Sequence, residues 1–221
     1  MNYNTDDVNI EAVNFILREL KLRRDDDKTK VYEMYGIILS KQEDKIKEKI
    51  NELKNILSKN NNNLPVYIAY IMGNLIIKNF EEVKNSLNIM NNLTLNIKYY
   101  SDYERGFLIM TYLFMITENF KKAEEAIEKV LTLNIAQVKG YEYLAMIKER
   151  ENKSEEACAC YEKAWDYSNK NNASIGYQLA VNYLNGKQYV KAMNVCNEIK
   201  RKFKEYPIDN LIQQAKNGLA S

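Results

Sequence analysis

The chain has 221 residues, and 32 Lys and Arg against 30 Asp and Glu leave it at +2 with no histidine at all. Balanced charge argues against a basic nucleic-acid surface, and the missing histidine removes Ser-His-Asp and Cys-His nucleophiles, His-containing zinc sites and His-based acid/base chemistry together. Seven glycines and two prolines leave few residues for tight reversals, which favours long helices over a sheet with many turns.

Three cysteines do not make a disulfide framework, and the opening MNYNTDDVNI lacks the basic start and apolar core of a signal peptide. The densest apolar run, Gly106 to Thr117, is too short to span a bilayer. A reducing, cytosolic setting without direct membrane insertion is expected. Three Asn-x-Ser/Thr patterns, at Asn92, Asn152 and Asn172, are read as chance in that setting, and the Asn60–Asn63 tract as a loop.

In chain order, residues 5–23 predict an amphipathic helix with Thr5 or Asp6 as its N-cap. Helix pairs follow over 28–60 and 64–95, the second with Pro65 at a helix start, where its missing N–H costs little. Further pairs span 103–136, 138–171 and 173–206, and residues 207–219 predict a closing helix that begins with Pro207 and carries Ile208, Leu211, Ile212 and Ala215 on one side. The whole is expected to be one all-α, right-handed α-solenoid of about twelve helices with a C-terminal cap.

The pairs repeat. Ala123, Ala157 and Ala192 stand 34 and 35 residues apart, the period of a tetratricopeptide repeat. Four residues on come Ile127, Tyr161 and Cys196, and three further on Val130, Ala164 and Ile199. A small side chain at a helix crossing lets two backbones approach, so this stripe is the packing face of each second helix. Phe107, Met110, Thr111 and Phe114, then Tyr141, Leu144 and Ala145, then Leu179, Ala180 and Tyr183 form the facing stripes of the first helices. Gly176 stands where the third unit's first aromatic belongs, and Lys148 where the middle unit's tyrosine belongs. Phe80 and Phe120 lie 40 residues apart, so extra residues are expected within Asn92–Gly106.

The segments KGYEYLAMI, YEKAWDYSN, IGYQLAVNYL, YVKAMNVC and YPIDNLIQQAKNGLA, in order and at matching separations, resemble the last repeats of the tetratricopeptide repeat protein 21 family. The resemblance implies a non-enzymatic scaffold: the C-terminal part, or a shortened homologue, of the long solenoid subunit of intraflagellar-transport complex A. That subunit acts in retrograde ciliary transport, which implies other complex A subunits as partners and a cilium or flagellum as location. A generic tetratricopeptide adaptor and a pentatricopeptide-like RNA-binding solenoid are the alternatives. Seventeen tyrosines suit base stacking, but the balanced charge does not.

By position in such repeats, the partner groove is lined by Arg105, Leu108 and Tyr112, then Lys139, Glu142, Met146 and Glu149, then Ser174, Tyr177 and Val181. Leu108, Tyr112, Glu142 and Met146 occupy the positions at which chaperone-binding repeats clamp a terminal carboxylate, and they are unsuited to hold one. Cys158 and Cys160, two apart on a helix, point about 200° apart and cannot share a metal or pair with each other. With no catalytic residue, cofactor or metal expected, they read as small packing residues. Trp165 is expected to fill the junction to the following unit.

Overall fold

A computed structural model describes residues 18–19, 22, 26–40, 42–93 and 100–220. Eleven helices and no strands occur among the described residues. They are α1 (Asp27–Leu39), α2 (Glu43–Lys59), α3 (Leu64–Ile76), α4 (Phe80–Asn92), α5 (Tyr100–Ile116), α6 (Phe120–Leu133), α7 (Val138–Arg150), α8 (Ser154–Tyr167), α9 (Ala173–Asn185), α10 (Tyr189–Lys202) and α11 (Asp209–Ala220). The helix expected over residues 5–23, with its Thr5 or Asp6 cap, lies almost wholly outside the described residues.

The chain falls into two compact units, one ending at Gly106 and the other starting at Phe107. In the first, Ile46, Ile50, Leu53 and Leu57 of α2 recur at spacings of three and four, so one stripe of that helix is buried against Val31 and Met34 of α1 and Val66 and Tyr70 of α3. Besides packing on α2, α1 also touches α3, the contact between first helices of successive pairs. In the second unit, α6 packs on α7, α7 on α8, α8 on α9 and α9 on α10, and α11 covers α10 and α9. The fold is thus an all-α array of tetratricopeptide-like helix pairs closed by a terminal helix.

The periodic stripe is the core of the second unit. Ala123, Ala157 and Ala192 are each 0 % exposed, and Ile127, Tyr161 and Cys196 are equally enclosed. Burying a residue such as Ile127 contributes about 1.5–3 kcal/mol relative to leaving it in water.

Glycine is not what turns the chain. Among the described residues, those with positive φ are Lys78, Glu118, Asn152, Asn169, Lys170 and Lys187, and no glycine is among them. Four of these close an α-α pair in the same way: the N–H of Asn79 donates to Asn74 O, Asn119 to Phe114 O, Lys153 to Lys148 O and Gln188 to Tyr183 O. This six-to-one bond, with a left-handed residue just before its donor, satisfies a helix-end carbonyl that would otherwise lack a partner. Asparagine supplies several helix starts: Asn63, Asn119 and Asn172 accept from the N–H groups of Val66, Lys122, and Ser174 and Ile175 respectively.

Two expected boundaries move. The closing helix starts at Asp209 rather than Pro207, because Ile208, 1 % exposed, seats the entry in the core and leaves Pro207 outside. The helix α5 has 17 residues against 13 in α7 and α9 and starts at Tyr100 rather than Tyr103, so part of the extra length expected within Asn92–Gly106 lies in this helix.

Candidate protein-binding surface

In the second unit, a cleft of about 800 Å³ opens where α7 begins, the α8–α9 connection passes and α10 ends. Its lining includes Lys139 and Glu142 of α7, Tyr167 to Asn169, Asn172, Ser174 and Lys202. The α8–α9 connection is held open by two consecutive left-handed residues, Asn169 (φ 52) and Lys170 (φ 55). Lys202 Nζ donates to both of their carbonyls, at 3.0 and 3.1 Å, and Lys170 pairs with Glu198 of α10 at 3.3 Å. A cation from α10 therefore sits at the end of α8, where the helix carbonyls concentrate negative potential.

Three of the residues expected to line a groove, Lys139, Glu142 and Ser174, converge on this cleft. Lys139 pairs with Glu142 at 3.0 Å and lies 4.9 Å from the centroid of the Tyr143 ring. Tyr112 of α5 is 42 % exposed, with its ring 6.5 Å from that of Tyr143. Met146 is also exposed, and Leu108 is half-buried.

The other four have different settings. In the first unit, Arg105 Nη1 donates to the Tyr35 hydroxyl at 3.1 Å, its guanidinium lies 5.5 Å from that ring's centroid, and it faces Asp102 at 3.9 Å. Glu149 is a strut between repeats: Tyr161 Oη donates to one carboxylate oxygen at 3.1 Å and Asn182 Nδ2 to the other at 2.6 Å. Tyr177 meets Tyr206 edge-on at 6.2 Å, and Val181 is half-buried against the same core cluster.

Sequence reasoning passed over Tyr143, Tyr167 and Lys202. Tyr143 stands four residues after Lys139 and so shares its helix face, a signal the sequence does contain. Burial pushes its hydroxyl up to about 12, helped by the charge of Glu142 and by Tyr112. Nothing in the sequence ties Lys202 to a loop more than thirty residues upstream.

The Lys148 substitution of the repeat pattern has a structural partner set. Its ammonium meets Glu124 of α6, Glu151 at 3.3 Å and Glu156 of α8 at 3.5 Å. The bond to Glu124, above all, holds the lysine pKa above its ordinary value.

The cysteines pack. Cys158 and Cys196 are buried and Cys160 half-buried, and burial raises all three thiols, Cys196 to about 11. Thiols held protonated in this way are poor nucleophiles. Trp165, 3 % exposed, fills the junction to α9. Among the described residues no group of three His, Cys, Asp or Glu is placed to hold a metal ion, and no helix is long and apolar enough to cross a membrane.

Stacked helix pairs, three of them with a buried alanine on the second helix, define a tetratricopeptide-type repeat protein. Solved structures agree on the fold. The chain aligns with the APC/C hetero-tetramer Cut9-Hcn1 at a TM-score of 0.66, with 13% identity over 96% of this chain and 42% of that one. With YrrB, described as a TPR protein with an unusual peptide-binding site, the TM-score is 0.60 and identity 14%, over 94% of this chain and 99% of that one.

The family follows from sequence. The model of the tetratricopeptide repeat protein 21 C-terminal ARM domain matches residues 12–215, and the chain belongs to that family. It is 26% identical over 200 residues to tetratricopeptide repeat protein 21B of Homo sapiens, covering 90% of this chain but only 15% of that protein.

Proposed function

We propose that the chain is a non-enzymatic protein-interaction scaffold, the C-terminal repeat region of an intraflagellar-transport complex A subunit that acts in retrograde ciliary transport. Its partners are then other subunits of that complex, and its location the cytoplasm and the cilium or flagellum. The observation that carries this reading is the family match over residues 12–215, joined to a surface in which Lys139, Glu142, Tyr143 and Met146 stand side by side along one helix. Two of the similar structures are described as an assembly with a partner and as a peptide-binding protein, which suits the same use here.

The test is capture of complex A subunits by the tagged chain from ciliated cells. Surface variants are the right controls: making α9 polar would strike Leu179, Ala180 and Tyr183, which are buried, and would unfold the unit rather than probe binding. Capture that Tyr112→Ser with Met146→Ser abolishes, in a protein of unchanged helix content, supports the reading. No capture by the folded wild-type chain overturns it.

A further inference from the structure

The surface of α7 is graded along its length. Lys139, Glu142, Tyr143 and Met146 stand at i, i+3, i+4 and i+7 and so share one face. At the N-terminal end of that face, Lys139 and Lys202 line the polar cleft, and Glu142 is the one acid among its lining residues. Toward the C-terminal end the surface turns apolar, with Tyr112 42 % and Met146 38 % exposed. Lys139 belongs to both halves, since its ammonium lines the cleft and also lies over the Tyr143 ring.

We propose that this stripe takes a partner polypeptide segment that is acidic at one end and apolar at the other, its acidic residues over Lys139 and Lys202 and its apolar residues on Tyr112, Tyr143 and Met146. The proposal rests on the protein-binding reading above and specifies the chemistry of the partner. Charge complementarity sets the direction of the segment, because Lys139 and Lys202 outnumber the single acid of the cleft, Glu142, which is already paired with Lys139 at 3.0 Å. Lys202 is already tethered by the carbonyls of Asn169 and Lys170, so less side-chain freedom is lost when an acid reaches it. The aromatic and thioether half of the stripe offers the rigid and adaptable apolar contacts that anchor partner segments.

The experiment uses the full chain and three fluorescein-labelled synthetic peptides of equal length. One joins three glutamates to a leucine- and phenylalanine-rich half, one replaces the glutamates by lysines, and one replaces the apolar half by serines. By fluorescence anisotropy, the acidic–apolar peptide should bind at least about tenfold more tightly than either of the others, and added salt should narrow its lead over the lysine peptide. Lys139→Glu should shift preference toward the lysine peptide, and Met146→Ser should weaken the acidic–apolar peptide while leaving the serine peptide unchanged. Equal binding of all three peptides, or a Lys139→Glu protein of unchanged circular dichroism with the original ranking, overturns the proposal. If complex A subunits are still captured while the peptides fail, the partner chemistry alone is wrong; if capture fails as well, the scaffold reading falls with it.

Discussion

The indole of Trp165 lies against the backbone of Gly176: a Cβ built on that glycine would stand 2.8 Å from both Cη2 and Cζ3 of the ring, and 2.9 Å from Ile199 Cδ1. The residue that breaks the aromatic pattern of the first helices is therefore the one that admits the tryptophan of the preceding helix. Gly176→Ala gains helix propensity of about 1 kcal/mol, but the ring is enclosed on all sides and cannot swing away. The clash should win, with a net loss of about 1–3 kcal/mol by urea denaturation. Pairing it with Trp165→Leu should cost less than the two single changes summed.

Two turn changes should raise stability. Glu118 holds φ 56 without being glycine, so Glu118→Gly relieves a left-handed strain of about 1–2 kcal/mol against a smaller loss of chain entropy. Gly186 has φ −82, and the nearest atom to a Cβ there is 3.5 Å away. Gly186→Ala should therefore add about 0.4–1 kcal/mol through the unfolded chain. Thermal melts followed by circular dichroism should show a higher midpoint for each; a lower one would contradict left-handed strain at Glu118 or free space beside Gly186.

The repeat register was legible because a small residue recurs at a near-constant interval in three second helices, and Ala123, Ala157 and Ala192 are buried as that spacing requires. The turns were less legible, since the left-handed position falls on Lys187 while the adjacent glycine keeps an ordinary backbone. The surface was legible only in part. Lys139, Glu142 and Ser174 meet at the cleft, but the role of Glu149 depends on Asn182, 33 residues away. Such a long-range partner leaves no local period to read.

Lys148→Met should destabilise by about 1–3 kcal/mol, because Glu124 and Glu156 would lose the cation they share and Glu151 would keep only Lys153. The pH dependence follows from the two pKa directions. Lys148 is raised, so its stabilisation is complete below the unfolded lysine value of about 10.4 and is lost only as pH rises through the folded value. Glu151 is lowered, chiefly by the Lys153 bond and also by Lys148, so its stabilisation is present above about pH 4.3 and is lost as pH falls through the folded value. The gap between wild type and Lys148→Met, read as urea midpoints, should therefore narrow on acidification from neutral pH. A gap constant down to about pH 3 would rule out the electrostatic account.

Thiol accessibility should follow burial. With Ellman's reagent near pH 8, the folded protein should react first at half-buried Cys160 and slowly at Cys158 and Cys196, while the denatured protein reacts at all three at one rate. Fast labelling of Cys196 in the native state would contradict its enclosed position.

Lys148 and Glu149 are neighbours in sequence and reach in opposite directions along the second unit. The lysine bonds Glu124 of the preceding pair, and the glutamate bonds Asn182 of the following one. In a stacked array, each pair feels only its neighbours, and cooperativity depends on the free energy of those interfaces. Two adjacent residues of α7 thus link three successive pairs into one folding block. Disruption should spread through helices α6 to α10 together, where a weakly coupled stack would peel away one pair at a time.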